Sequence, residues 1–275
     1  MTNMPRAAVI GNPISHSLSP KLHNFWLKRY GLDGEYTALK VTEDELETTL
    51  RALPSQGFIG ANVTLPHKVN VLQFADQVTD RATLIGAANT LTFKEDGRIF
   101  ADNTDGYGFL ANLHQGAPDW DPKAGPAAVL GAGGAARAII VALADAGVPE
   151  IIIANRTRPK AEALRADFGA RVSVIDWVQA DKAFEEANTV INTTSLGMKG
   201  AQELKVSLDG LRPEALVTDI VYNPLRTPFL DAAAEKGCKT VDGLGMLLHQ
   251  GVPGFERWFG QRPEVDEETR RAVLA

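Results

Sequence analysis

The chain has 275 residues, of which 44% are hydrophobic and 23% charged, and a formal net charge of -6. This composition excludes a disordered or low-complexity chain, and the length allows one large domain or two modest ones. The acidic balance argues against a binder of nucleic-acid backbones, and no stretch reaches the roughly 20 apolar residues that span a bilayer.

The segment Met1 to Arg6 lacks the charged-then-apolar order of a signal peptide. Cys238 is the single cysteine, so no intramolecular disulfide can form and a cytoplasmic location is expected. That cysteine reads as a small buried hydrophobe rather than a nucleophile. The five histidines are scattered without metal-ligand spacing, so no metal is expected.

In chain order, short β-branched runs alternate with longer helical segments, the pattern of an α/β protein. Ala7 to Gly11 reads as a strand. Ser19-Pro20 then opens a helix, with Ser19 as N-cap and Pro20 at the first helical position. Glu35 to Val41 reads as a second strand, and Thr42 with Glu45 as a capping box for the next helix. A third strand, Ile59 to Val63, ends before Pro66. Thr90 to Phe93 and Arg98 to Phe100, joined across Asp96-Gly97, read as a hairpin.

Gln115 to Pro126, rich in Pro, Gly, Asp and Trp, reads as the connection between domains, or equally as a long surface loop. Beyond it the cycle restarts. Strands are expected at Ala127 to Leu130, Glu150 to Ala154, Val172 to Ile175, Thr189 to Asn192, Leu216 to Ile220 and Lys239 to Val241. Helices are expected through Ala146, from Pro159 to Phe168 and from Pro228 to Lys236. That succession predicts a doubly wound, mostly parallel sheet.

Gly131-Ala132-Gly133-Gly134-Ala135-Ala136 follows the strand Ala127 to Leu130 and opens an apolar helix. In a dinucleotide site Gly131 would permit the tight turn, Gly133 would let pyrophosphate approach the backbone, and Ala136 would allow close helix–strand packing. Glycine-rich strand–helix turns also occur for packing alone. The next strand ends in Asn155-Arg156-Thr157-Arg158, with Lys160 close behind. An NAD site usually places a carboxylate there; Arg156 and Thr157 suit a 2′-phosphate instead, so NADP(H) is the expected cofactor.

The first half carries two polar loops at strand ends. Asn12-Pro13-Ile14-Ser15-His16-Ser17-Leu18-Ser19-Pro20 adds hydroxyls to the free N–H groups of a helix start, a natural anion site. Asn62-Val63-Thr64-Leu65-Pro66-His67-Lys68 places Lys68 in the expected first turn of a helix. There a cation opposes the dipole, which makes Lys68 a poor structural choice and a reasonable proton carrier. Asp102-Asn103-Thr104-Asp105-Gly106 puts Asp105 just before another helix. Taken alone, Ser19 and Asp105 read as capping residues.

The segments G-N-P-I-S-H-S-L-S-P, A-N-V-T-L-P-H-K, G-A-A-N-T-L, N-T-D-G, G-A-G-G-A-A, N-R-T, D-I-V-Y-N-P and D-G-L-G-M-L-L-H-Q, running from Gly11 to Gln250, resemble shikimate dehydrogenases in content and order. The resemblance implies an N-terminal α/β substrate domain, residues 1–112, and a C-terminal Rossmann-type doubly wound NADP-binding domain, residues 113–244. It also implies that the last helices, 245–275, fold back on the first domain.

As activity it implies NADPH-dependent reversible reduction of 3-dehydroshikimate to shikimate in aromatic amino-acid (chorismate) biosynthesis. Lys68 would be the acid/base group and Asp105 its partner. Ser17 and Ser19 would hold the substrate carboxylate, with Tyr222 nearby, and Thr64, Asn89 and Gln250 would join Lys68 and Asp105 around the ring hydroxyls. Gly131, Ala132, Gly133, Gly134 and Ala135 would hold pyrophosphate, and Asn155, Arg156, Thr157 and Lys160 the 2′-phosphate. Ile220 and Gly243 would lie along the nicotinamide side, and Asp80 is a further cofactor-side candidate.

One position departs from the family pattern. Lys160 stands where an arginine commonly closes the N-R-T segment, which shifts the expected 2′-phosphate affinity toward Arg156 and Arg158. The nearest alternative is an NAD-linked quinate/shikimate dehydrogenase; paired serines and Arg156 disfavour it. A non-catalytic NADP-binding regulator would be expected to lose Lys68 or Asp105, and this chain keeps both. The expected partners are a small-molecule substrate and the nucleotide, with no nucleic acid and no membrane. No stretch encodes an oligomeric state, so a homodimer is admitted beside a monomer.

Overall fold

The first apolar run of the chain forms a buried strand, β1 (Arg6–Gly11), in the computed structural model, which describes residues 4–275. There follow α1 (Ser19–Arg29), β2 (Glu35–Lys40), α2 (Leu46–Ala52), β3 (Phe58–Val63), β4 (Gln77–Val78), α3 (Asp80–Ile85), β5 (Thr90–Phe93), β6 (Ile99–Asp102) and α4 (Asp105–Gly116). The six strands make one mixed sheet in the order β2-β1-β3-β5-β6-β4. Pairing is parallel across β2-β1-β3 and between β6 and β4, and antiparallel across β3-β5-β6.

Alternate residues of β1 serve opposite faces, as the pleat requires. Ala8 and Ile10 join a core with Leu46, Leu50, Val63 and Leu91, whereas Ala7 and Val9 pack with Tyr36 and Trp258. The expected hairpin turns at Gly97, whose φ of +81° is readily adopted only by glycine, and Gly97 N–H donates to the Lys94 carbonyl.

The alternation restarts with β7 (Ala127–Leu130), α5 (Gly134–Ala146), β8 (Ile151–Asn155), α6 (Arg158–Phe168), β9 (Val172–Asp176), α7 (Ala180–Glu186), β10 (Thr189–Asn192), β11 (Leu216–Asp219), α8 (Pro228–Glu235) and β12 (Lys239–Val241). These strands form an all-parallel sheet in the order β12-β11-β10-β7-β8-β9. Order reverses between β7 and β10, the arrangement of a doubly wound dinucleotide fold, whose ligands sit beyond the carboxyl ends of the strands. Both faces of the central strands β7, β8 and β10 are covered, and their middle residues are apolar. Ala127 and Val129 face a core with Ile139, Leu143 and Ile153; Ala128 and Leu130 face another with Phe184, Val190 and Val217.

The chain ends with α9 (Leu244–Phe259) and α10 (Glu267–Leu274). Two compact units result. The first contains the described residues up to Gly108 together with Leu247–Ala275, and the second is Phe109–Met246. Their boundaries fall inside α4 and α9 rather than in a loop, and the Pro-rich residues 117–126 lie wholly within the second unit, with the Trp120 ring N–H donating to Thr189 Oγ1 at 2.9 Å. Within the first unit, Trp258 of α9 lies over Gly60 of β3, where any Cβ would collide with the indole, and donates its ring N–H to the Leu91 carbonyl at 2.9 Å.

Three local expectations are corrected. The N-cap of α1 is Leu18, without a side-chain cap, so Ser19 is the first helical residue and Pro20 the second. The Thr42–Glu45 pair forms only half a capping box: Glu45 accepts from both the Thr42 N–H and the Thr42 hydroxyl, and α2 starts later, at Leu46. Lys68 lies in a turn that leads to a single 3-10 turn at Asn70–Phe74, not in an α-helix. Val69 and Val71, both β-branched, disfavour helix there.

Candidate active site

The loop after β3 is held by its backbone before any side chain acts. Val63 N–H donates to the Asn89 carbonyl at 2.8 Å, Thr64 N–H to the Ile10 carbonyl at 2.9 Å, and Ala88 N–H to the Lys68 carbonyl at 2.8 Å. His67 is fully buried, its Nε2 lying 2.7 Å from the Val41 carbonyl. Lys68 is thereby aimed at the start of α4, where Nζ donates to Asp105 Oδ2 at 2.5 Å. The pair is nearly out of water, with side-chain exposures of 18% for Lys68 and 6% for Asp105.

The second oxygen of Asp105 accepts from Asn89 Nδ2 at 2.9 Å, and that amide also reaches Gln250 Oε1 at 3.1 Å. The orientation of Asn89 is determined by its other side: Oδ1 accepts from Thr104 N–H at 2.8 Å and from the Thr90 hydroxyl at 2.9 Å. The amide nitrogen must therefore face Asp105 and Gln250. Gln250 donates onward to the Leu247 carbonyl at 3.0 Å. Lys68, Asn89, Asp105 and Gln250, scattered over four sequence motifs, form one connected group.

This network shows why Asp105 is not a cap. The helix-starting N–H of Asp105 is taken by Asn103 Oδ1 at 3.0 Å, which leaves both carboxylate oxygens for Lys68 and Asn89. Ser17 is half-buried, and its Oγ accepts the Ser19 N–H at 3.3 Å; Ser19 itself is buried. Thr64 is half-buried and would clash through Cγ2 with any side chain at Gly11. Asp80 is exposed in the first turn of α3 and takes no part in the network.

Two residues that sequence reasoning did not single out support the group. Asn62, buried within otherwise apolar β3, accepts from the Tyr36 hydroxyl at 2.6 Å and donates to the Asn89 carbonyl at 3.1 Å. A polar residue in an apolar strand was the available signal. Asp102 is fully buried and receives Arg81 through Nε and Nη2 at 2.7 and 2.5 Å, and Arg257 of α9 at 2.9 Å. Burial opposes its ionisation, but the hydrogen bonds from Arg81 and Arg257 outweigh burial and hold the carboxyl well below the ordinary range. The charge anchors α9, and with it Gln250, to β6.

In the second unit, Gly131 turns at a φ of +110°, and a Cβ there would lie 2.6 Å from Thr193 Oγ1. Gly133 is the N-cap of α5 and contributes no side-chain cap. A Cβ on Gly133 or Gly134 would meet nothing within 4 Å, so packing does not require glycine at either position. What they leave is open space over the backbone N–H groups of a helix start, which suits a phosphate.

Alongside, at the end of β8, Asn155 Nδ2 donates to the Thr157 carbonyl at 2.8 Å. Arg156 and Thr157 are exposed, as is Lys160 in the first turn of α6. Arg156 donates to Gln202 at 3.3 Å and lines a cavity of about 470 Å³ with Trp177, Leu196, Gln202, Glu203 and Lys205. Its lining sets an aromatic ring, two cations and one amide beside the Glu203 carboxylate. Arg158, by contrast, is engaged by Asp176 at 2.6 Å and Glu162 at 2.9 Å.

At the other side of the sheet, Gly243 is pressed against the backbone of Ile220, and a Cβ would also come within 2.7 Å of the Asp219 carbonyl. Asp219 is fully buried at the end of β11 with no cation beside it among the described residues; Asn192 at 3.0 Å, Val221 N–H at 3.0 Å and Thr227 at 2.8 Å donate to it. Burial raises its pKa to about 6. Tyr222 is half-buried in the loop after β11, and burial raises its phenol.

Three family models match the chain in order: a shikimate dehydrogenase substrate binding domain over residues 9–91, shikimate / quinate 5-dehydrogenase over 120–207, and a shikimate 5′-dehydrogenase C-terminal domain over 243–274. The Shikimate dehydrogenase (NADP(+)) of Cereibacter sphaeroides (strain ATCC 17029 / ATH 2.4.9) is 64% identical over 275 residues, spanning 100% of this chain and 99% of that protein. The chain belongs to the shikimate dehydrogenase family. Among solved structures, the shikimate 5-dehydrogenase of Thermus thermophilus in complex with NADP(H) and shikimate superposes with a TM-score of 0.88 at 39% identity, covering 98% of this chain and 100% of that one. The quinate dehydrogenase of Corynebacterium glutamicum in complex with NAD shares the fold at a TM-score of 0.90 and 30% identity, covering 98% and 99%. The glycine turn, the N-R-T strand end and the Lys68–Asp105 contact thus sit in a shikimate dehydrogenase framework. Among the described residues no helix is long and apolar enough to cross a membrane.

Proposed function

We propose that this chain catalyses the NADPH-dependent, reversible reduction of 3-dehydroshikimate to shikimate, a step of aromatic amino-acid biosynthesis, in the cytoplasm. The observation that carries the reading is the largely buried contact between Lys68 and Asp105, held by Asn89 within a family that performs this chemistry. NADPH, when bound, supplies the hydride. Gly131 through Ala135 hold its pyrophosphate over the start of α5, and Asn155, Arg156, Thr157 and Lys160 hold its 2′-phosphate; the open space at Gly133 and the cations near the cavity support this fit. Ile220 and Gly243 would form the nicotinamide side, with Asp80 a further residue toward the cofactor.

Lys68 Nζ delivers a proton to the substrate carbonyl oxygen as that oxygen becomes a hydroxyl, and takes it back in the reverse direction. Asp105 keeps Nζ oriented, and Asn89 keeps Asp105 oriented, so little rearrangement accompanies proton transfer. Ser17 and Ser19 donate to the substrate carboxylate. Thr64, Asn89 and Gln250 bind the ring hydroxyls, and Tyr222 is assigned to substrate by its motif.

Arg156 in place of an acidic residue at the end of β8 favours NADP(H) over NAD. The test is the rise of NADPH absorbance on mixing protein, NADP⁺ and shikimate, compared with NAD⁺ and with quinate. Fast NADP⁺-linked shikimate oxidation is expected. Preferred NAD⁺-linked quinate oxidation, or cofactor binding without turnover, would overturn the reading.

A further inference from the structure

The N-R-T-R segment offers several cations to the 2′-phosphate, but Arg158 already has two anionic partners. Its Nη1 donates to Asp176 Oδ1 at 2.6 Å and its Nε to Glu162 Oε1 at 3.1 Å. Asp176 is not remote from the phosphate-binding strand end. It is the register partner of Asn155 across β8 and β9, so its carboxylate sits beside the end of the strand that carries Arg156. The next residue, Trp177, lines the same cavity as Arg156, Lys205 and Glu203, so Asp176 adds to a carboxylate already on that wall.

A free carboxylate at that place has the wrong sign for a phosphate site, and its field at several ångströms is not negligible even in water. Resting on the NADP(H) reading above, we propose that Arg158 is a charge screen rather than a phosphate ligand. By neutralising Asp176 at the edge of the 2′-phosphate site, it sets the preference for the phosphorylated nucleotide. Asp176 is thus a specificity-determining residue, acting against the 2′-phosphate whenever Arg158 is absent. Glu162 has a second cation, Arg165 at 3.6 Å, so loss of Arg158 chiefly unmasks Asp176.

A double-mutant cycle separates a screen from a ligand. NADP⁺ and NAD⁺ are titrated calorimetrically into the full-length wild type, Arg158→Gln, Asp176→Asn and the double variant. Because the pair is exposed, the effects are modest: Arg158→Gln should weaken NADP⁺ about three- to tenfold and leave NAD⁺ within about twofold, while Asp176→Asn tightens NADP⁺. The double variant should return to within about twofold of wild type, and raising the salt to about 0.5 M should shrink all the differences.

If the double variant stays as weak as Arg158→Gln, Arg158 grips the phosphate directly and the proposal is overturned. Parallel losses for NADP⁺ and NAD⁺ would mean a structural role and overturn it too. Equal affinities of the wild type for the two nucleotides would overturn both this proposal and the cofactor reading, whereas a wild-type preference for NADP⁺ without recovery in the double variant overturns the proposal alone.

Discussion

Asn89 and Asp105 are locked together: the Asn89 amide donates to Asp105 Oδ1 at 2.9 Å, while Thr104 and Thr90 hold the opposite end of the same amide. Asp105 therefore presents its other oxygen to Lys68 in one orientation. An asparagine that cannot flip fixes a carboxylate that cannot turn, and the carboxylate fixes the lysine. Lys68 is positioned by three successive hydrogen bonds rather than by its own rotamer preference.

Asn89→Ala should expose that dependence. It leaves the Thr104 N–H without its acceptor and Asp105 without one donor, which should cost about 1–3 kcal/mol of stability. Loosening of Asp105 should lower kcat about 10- to 100-fold. Urea unfolding and steady-state kinetics measure the two effects. A variant with normal kcat would remove Asn89 from the positioning chain.

Asp219 gives a pH signature of stability. Burial raises its pKa to about 6, above the ordinary carboxylate value, so the folded state favours the neutral acid. Its contribution is fully present below about pH 4 and is lost as pH rises through about 6. Asp219→Asn cannot ionise, so its stability relative to wild type should rise by about 3 kcal/mol between about pH 3.5 and 7.5. Chemical unfolding across that range would show the two curves converging or crossing. Parallel curves would mean that Asp219 is ionised at ordinary carboxylate pH in the folded protein.

Gly243→Ala places a methyl group against the backbone of Ile220 and within 2.7 Å of the Asp219 carbonyl. Neither is a flexible side-chain end, so the chain must shift, at about 1–3 kcal/mol. Thermal unfolding should register the loss, and calorimetry should show weaker NADP⁺ binding if Ile220 and Gly243 form the nicotinamide side. Weaker folding with unchanged NADP⁺ affinity would withdraw that assignment.

The second unit is readable because its central strands β7 and β8 appear as short apolar runs, and because Gly131 to Ala136 marks one strand–helix turn. Short elements escaped: β4 has two residues, and α7 carries no cap or periodicity strong enough to separate it from the neighbouring loops. In the site, local signals misled where tertiary partners won. Asp105 has the position of a cap but yields that task to Asn103. Lys68 lies in a turn, not on the helix its motif suggests, so its surroundings are set by Asp105 rather than by a dipole. Asn62, Asp102 and Asp219 act through partners distant in the chain or through burial, and neither is written in local spacing.

The most direct test is the steady-state kcat of Lys68→Ala for shikimate oxidation with NADP⁺. Loss of the acid/base group should lower kcat by about 10²–10⁴, with the shikimate KM within about threefold of wild type because the binding residues remain. A near-normal kcat would contradict the assignment of Lys68 as the proton carrier.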